Sequence, residues 1–168
     1  YRLAIDTGET QLLWQSDAPG LLYDASTHPT AGRTLFTRMS RSAAHDLLEL
    51  DLATGQARRL DPTDRPARYD YPTYSPDGCY VYVVTDLDSD RTNLMRLDLA
   101  TGLWDTVIGP LYDLEYFSLS PDGRYIAYRA QSRPGFESDR WRLMLLERET
   151  GRSTSRTDNL DLNVEAIS

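Results

Sequence analysis

Tyr74-Ser-Pro-Asp-Gly-Cys-Tyr-Val-Tyr-Val-Val-Thr-Asp86 and, 45 positions later, Leu119-Ser-Pro-Asp-Gly-Arg-Tyr-Ile-Ala-Tyr-Arg-Ala130 carry one pattern twice. Pro76 and Pro121 preset φ for the first central position of a turn. Asp77 and Asp122 can bond their own backbone, and Gly78 and Gly123 accept positive φ. The pattern is that of a hairpin turn. The residues after it, Tyr80 to Val84 in one copy and Tyr125 to Tyr128 in the other, are mostly aromatic or β-branched and read as strands. Both faces of these strands are apolar, so each hairpin is expected to lie between two neighbouring sheets.

A second mark recurs between the first. Thr-Gly stands at Thr7, Thr54, Thr101 and Thr150, with spacings of 47, 47 and 49. Leu48, Leu50 and Leu52 are in phase with Met95, Leu97 and Leu99 one period later, and Leu3 and Ile5 fit one period earlier. This alternation is that of strands. Asp46-Leu-Leu-Glu-Leu-Asp-Leu-Ala-Thr-Gly55 and Asn93-Leu-Met-Arg-Leu-Asp-Leu-Ala-Thr-Gly102 each read as a strand that ends in a tight polar turn. Self-similarity with a period in the forties and four strands per period is the signature of a β-propeller blade.

The expected fold is therefore all-β: a partial β-propeller of four-stranded antiparallel blades, with about three complete blades and incomplete ones at both ends. Residues 1–14 supply a c-d strand pair, 22–60, 69–108 and 114–157 a blade each, and 163–168 the first strand of another. His28-Pro-Thr-Ala-Gly32 serves as a degenerate first turn in the first blade. Propellers typically close with about four to eight blades. The chain is thus expected to be a segment of a longer protein or to pair with a second copy through its open edges. A small β-sandwich is the competing fold, and it does not require two turn motifs at equal spacing.

Composition narrows the partners. Eighteen Lys and Arg against 26 Asp and Glu give a net charge of -8, and this field opposes phosphate backbones. No nucleic acid is expected. No apolar run approaches the about 18 residues of a membrane helix, and no membrane partner is expected. Cys79, the single cysteine, follows the first Ser-Pro-Asp-Gly and reads as a part-buried thiol, not a nucleophile.

Few residues offer chemistry. Gly-x-Ser-x-Gly is absent: Gly151-Arg-Ser-Thr-Ser155 lacks the second glycine. His28, in a His-Pro turn, and His45, at a strand start, read as turn or surface residues. Asp86-Leu-Asp-Ser-Asp90 resembles the opening of a calcium loop, but Arg91 and Leu97 stand where that loop needs Gly and Glu. A solvated loop with Asp88 and Asp90 near Arg91 is expected instead, and no metal or cofactor.

Strands alternate in direction, so b-c and d-a connections share one side of the disc. That side carries the variable loops: 39–45, 61–68, 86–92, 110–113 and the longest, Gln131-Ser-Arg-Pro-Gly-Phe-Glu-Ser-Asp-Arg140. Binding residues concentrate on such loops. The candidates are Arg133, Phe136, Glu137, Arg140, Tyr71 and Tyr112, and no catalytic residue is expected.

The pairing of Ser-Pro-Asp-Gly with Asp-Leu-Ala-Thr-Gly resembles the TolB-type (WD40-like) repeat family of TolB propellers and of the amino-terminal propellers of prolyl oligopeptidase family serine peptidases. The stretches 85–102 and 112–123 are similar to the peptidase branch. The resemblance implies a propeller that caps an α/β-hydrolase domain, itself holding Ser, Asp and His, and restricts entry to large substrates. No position here matches that triad. The dipeptidyl peptidase branch holds the substrate amine with a Glu pair, and Asp113-Leu-Glu115 is not such a pair. Two functions follow as expectations: a non-catalytic segment that gates or positions peptide substrate for a serine peptidase, or a TolB-like protein-protein scaffold without enzymatic activity. A polysaccharide-processing propeller enzyme would require His or metal clusters that the sequence lacks.

Overall fold

The computed structural model describes residues 1–41, 44–62, 65–109, 113–133, 136, 138–161 and 163–165. Among them there is no helix. Fourteen strands form three four-stranded antiparallel sheets and one two-stranded ribbon, each sheet built from consecutive strands.

The ribbon is β1 (Arg2–Leu3) with β2 (Thr10–Gln11). The first sheet comprises β3 (Leu21–Thr27), β4 (Arg33–Arg41), β5 (Ala44–Asp51) and β6 (Ala57–Arg59). The second comprises β7 (Tyr69–Tyr74), β8 (Tyr80–Thr85), β9 (Asn93–Asp98) and β10 (Trp104–Ile108). The third comprises β11 (Leu114–Leu119), β12 (Tyr125–Ala130), β13 (Arg142–Glu147) and β14 (Arg152–Ser155). None closes on itself, which is the arrangement of a partial propeller.

Turn chemistry repeats bond for bond. Ser75 accepts Gly78 N–H through its carbonyl at 2.8 Å and Tyr80 N–H through its hydroxyl at 2.9 Å. Ser120 does the same with Gly123 at 2.8 Å and Tyr125 at 2.9 Å. Gly78 and Gly123 sit at φ 72 and 67, where a side chain would be strained. In the other turn, Asp51 Oδ1 accepts the N–H groups of Ala53 and Thr54, and Asp98 Oδ1 those of Ala100 and Thr101. The two turn types are stitched together within each sheet, by Leu52 N–H to Gly32 C=O, Leu99 N–H to Cys79 C=O and Arg148 N–H to Arg124 C=O.

The middle sheet accounts for the doubly apolar strands. Val81, Val83, Met95 and Leu97 pack against Leu35, Leu47 and Tyr74 on the side of the first sheet. Tyr82, Val84 and Leu94 pack with Leu114, Phe117 and Ile126 on the side of the third. Successive side chains along one strand thus enter different cores. Each fully buried side chain of this size contributes about 1.5–3 kcal/mol.

The outer faces differ. On the first sheet Phe36, Leu48 and Leu50 are covered in part by Trp14, whose ring centroid lies 5.1 Å from that of Phe36, while Leu21 and Leu22 stay exposed. On the third, Tyr125, Ala127 and Arg129 are half-buried, and no described sheet lies over them. Of 163–168, the described part runs beside the start of β13, where Val164 N–H donates to Trp141 C=O and Trp141 N–H to Asn163 Oδ1.

Candidate functional site

Each sheet's first strand carries a bulge at the same place, between Tyr23 and Ser26, Asp70 and Thr73, and Glu115 and Phe117. The bulges hold Asp24, Tyr71 and Tyr116 at φ 55, 56 and 46. A bulky residue in the left-handed region costs on the order of 1–3 kcal/mol and persists only where its surroundings hold it. Here Asp24 Oδ2 accepts Tyr71 N–H at 3.1 Å, and the rings of Tyr71 and Tyr116 lie 4.5 Å apart at 34°. Burial, and then the Tyr116 hydroxyl, push the Tyr71 phenol above its ordinary range. A bulge re-aims a side chain, and these turn Tyr71 toward the junction of the second and third sheets.

A cleft of about 430 Å³ opens there, on the side of the b-c and d-a connections. Arg68, Asp70, Tyr71, Arg91, Glu115 and Trp141 form its walls. Arg68 Nη2 lies 2.7 Å from Asp70 Oδ2, Arg91 Nη1 3.5 Å from Asp113 Oδ1, and Arg129 Nη2 3.1 Å from Glu115 Oε2. The Arg129 guanidinium is held between two rings, 4.3 Å from the centroid of Trp141 and 5.3 Å from that of Tyr116. Burial opposes ionisation of Asp70, but His45 and Arg68 outweigh it and hold the carboxyl below its ordinary value. The lining includes four carboxylates, those of Asp70, Asp90, Asp113 and Glu115, against the guanidinium groups of Arg68 and Arg91. It is an acidic, aromatic-walled cleft.

The residues expected from sequence to bind do not meet in one place. Tyr71 lines the cleft. Tyr112 and Glu137 lie outside the described residues. Arg133 stacks on Phe136 at 4.3 Å and pairs with Asp139 at 3.2 Å, and Ser132 bonds the same carboxylate. Arg140 donates to the carbonyls of Leu160 and Asp158 and so ties down the segment after β14. Neither Arg133, Phe136 nor Arg140 lines the cleft. Sequence reasoning missed Arg68, Asp70, Glu115 and Trp141. The repeat itself held a signal, since Tyr23, Asp70 and Glu115 occupy one position of three successive blades.

Four smaller expectations need correction or placement. His45 is not a surface residue: it is 7% exposed, because its ring fills the junction of β3, β5 and β7. His28 Nδ1 accepts the N–H groups of Thr30 and Ala31, and its Nε2 lies 3.2 Å from Gly78 C=O, so the turn of the first sheet clasps that of the second. Cys79 is exposed, not part-buried, because the turn points it away from both cores. In the 86–90 loop, Asp86 accepts Arg68 N–H at 2.7 Å and Asp88 pairs with Arg65 at 2.7 Å, while Arg91 turns to Asp113. Among the described residues, no group of three or more His, Cys, Asp or Glu side chains is arranged to hold a metal ion.

No protein-family model and no curated protein sequence matches this chain. Solved structures do. TolB from Acinetobacter baumannii superposes with a TM-score of 0.70 at 21% identity, over 92% of this chain and 36% of that one. A putative TolB from Agrobacterium tumefaciens gives 0.67 at 18% identity, over 84% of this chain and 50% of that one. Puromycin hydrolase gives 0.67 at 16% identity, over 88% of this chain and 24% of that one. This chain therefore spans half the length of these proteins or less. Its architecture is the TolB-like β-propeller fold, which puromycin hydrolase shares.

Proposed function

We propose that this chain is a non-catalytic propeller segment that recognises polypeptide through its loop face, and that it gates or positions substrate for a serine peptidase. The observation that supports this reading is the cleft between the second and third sheets. It combines aromatic walls with charged groups already held in place, as recognition sites do. Among the described residues, neither histidine is hydrogen-bonded to a serine hydroxyl or a thiol, the pairing that activates a nucleophile. The excess of carboxylates favours basic segments of the ligand.

Trp141 makes the cleft testable. Titration with basic, neutral and acidic peptides of equal length, followed by its fluorescence, is expected to rank them in that order. E115Q and D70N should weaken the basic peptide and leave the neutral one unchanged. Equal response to all three, or none from any, would remove the cleft from the proposal. In the complete protein, the gating reading expects loop-face substitutions to change KM for long peptides while hydrolysis of a small ester stays constant.

A TolB-like interaction scaffold without enzymatic activity is the second reading, and the extent of the match to TolB supports it. The gene around these residues separates the two. A following domain with Gly-x-Ser-x-Gly between strand and helix belongs to the first reading, and a protein made of propeller blades without one belongs to the second.

A further inference from the structure

At both junctions between sheets, one of the links is made by the residue at the start of the earlier sheet's third strand. In the second sheet this is Thr92, whose hydroxyl donates to Leu114 C=O at 2.8 Å and accepts Leu114 N–H at 3.4 Å. In the first sheet, 47 positions earlier, His45 holds the same place. Its Nδ1 accepts Tyr69 N–H at 3.1 Å, and its backbone N–H donates to Ala67 C=O at 2.9 Å. Tyr69 and Leu114 open equivalent strands, β7 and β11. A hydroxyl accepts at any ordinary pH, but an imidazole Nδ1 accepts only while it carries no proton.

The groups around His45 offer a second arrangement. From β3, Tyr23 Oη lies 2.7 Å from Nδ1 and 3.0 Å from Nε2. From β7, Asp70 Oδ1 lies 3.4 Å from Nδ1, and the Tyr23 hydroxyl also donates to it at 3.4 Å. The other oxygen of Asp70 is held by Arg68. Asp24, also on β3, adds a carboxylate, whose Oδ2 accepts Tyr71 N–H at 3.1 Å. The neighbour from β4 is the uncharged Met39.

We propose that His45 is a protonation-controlled latch between the first and second sheets that also sets the charge of the cleft wall. In the neutral ring Nδ1 holds the first N–H of β7. When a solvent proton is added, Nδ1–H becomes a donor to Asp70, Tyr69 N–H loses its acceptor, and the Asp70 carboxylate is drawn from Arg68. No covalent bond changes apart from the one to the added proton. Asp70 and Arg68 both line the cleft, so protonation reaches it as an added positive charge on one wall. The junction of the second and third sheets lacks this response because Thr92 stands in the place of the imidazole.

Uniformly ¹⁵N-labelled protein, titrated between about pH 5 and 8 where histidine ordinarily changes charge, tests the latch. The Tyr69 amide resonance is expected to shift with the same midpoint as the His45 ring, and the Leu114 amide to stay still. H45T, which copies Thr92, and H45Q, which keeps an acceptor that does not titrate, should both abolish the Tyr69 shift. A Tyr69 amide that stays still while His45 titrates, a His45 ring that does not titrate in this range, or a Tyr69 shift that survives in either variant would overturn the proposal. Should both variants fail to fold, the wild-type comparison of Tyr69 with Leu114 decides alone.

Discussion

The hydroxyl of Tyr74 donates to Glu49 Oε1 at 2.8 Å, across the packed junction of the first and second sheets. Tyr74 is 5% exposed and Glu49 3%. Glu49 is held in addition by Arg58 at 2.6 Å and Arg33 at 3.8 Å. Burial, and then the carboxylate, push the Tyr74 phenol well above its ordinary range. A buried carboxylate that loses a donor keeps its desolvation cost, so Y74F should destabilise the protein by about 1–3 kcal/mol in urea denaturation. E49Q should also destabilise, because it removes the charge that Arg58 and Arg33 pair with.

The glycines of the repeated turn should not tolerate alanine equally. A Cβ on Gly78 would fall 2.3 Å from Nε2 of His28, whereas one on Gly123 would meet only Arg148 Nη1 at 3.4 Å. Both positions have positive φ, so G123A should cost about 1–2 kcal/mol from backbone strain alone. G78A should cost more, since it must also push His28 off the Gly78 carbonyl. Equal midpoint shifts in thermal unfolding would show that the His28 clasp contributes nothing.

Core and surface should separate as sharply. Met95 is 1% exposed between two sheets and Leu103 is 68% exposed at the tip of a turn. M95A is expected to cost about 2–5 kcal/mol and L103A less than about 0.5 kcal/mol. Denaturant midpoints at constant slope provide the comparison.

Acid should act through Asp139. This side chain is buried, which opposes ionisation, yet hydrogen bonds from Arg133 N–H, the Ser132 hydroxyl and the Arg133 guanidinium hold its carboxyl well below the usual carboxylate range. Its folded-state value lies below that of the unfolded chain. The stabilisation is therefore full above about pH 4 and is lost as pH falls through the folded value. D139N should lower thermal stability at pH 7 and flatten the decline between about pH 4 and 2.

Much of this architecture is legible in the residues themselves. Pro76, Asp77 and Gly78 make their turn from neighbours within five positions, and Val81 and Tyr82 alternate because a strand has a period of two. The 45- to 49-residue spacing of both turn motifs then requires identical modules laid side by side. Local chemistry is enough for these features.

The site was not legible in the same way. Tyr71 stood out as a candidate binding residue, but nothing in the sequence of Asp24, Tyr71 or Tyr116 announced the left-handed backbone that contacts between sheets sustain. Arg133, Phe136 and Arg140 stood out as loop residues rich in chemistry, but each satisfies a partner within its own sheet or the segment that follows.

Turn type and strand alternation were thus determined by the chain's local sequence, because each depends on residues a few positions apart, and the module period by the recurrence of those turns. The burial of His45, the strained bulges and the meeting of Asp70 with Glu115 and Trp141 were decided by tertiary structure alone. They depend on how one sheet is placed against the next, and that placement comes from the simultaneous packing of side chains from different sheets, far apart in the sequence.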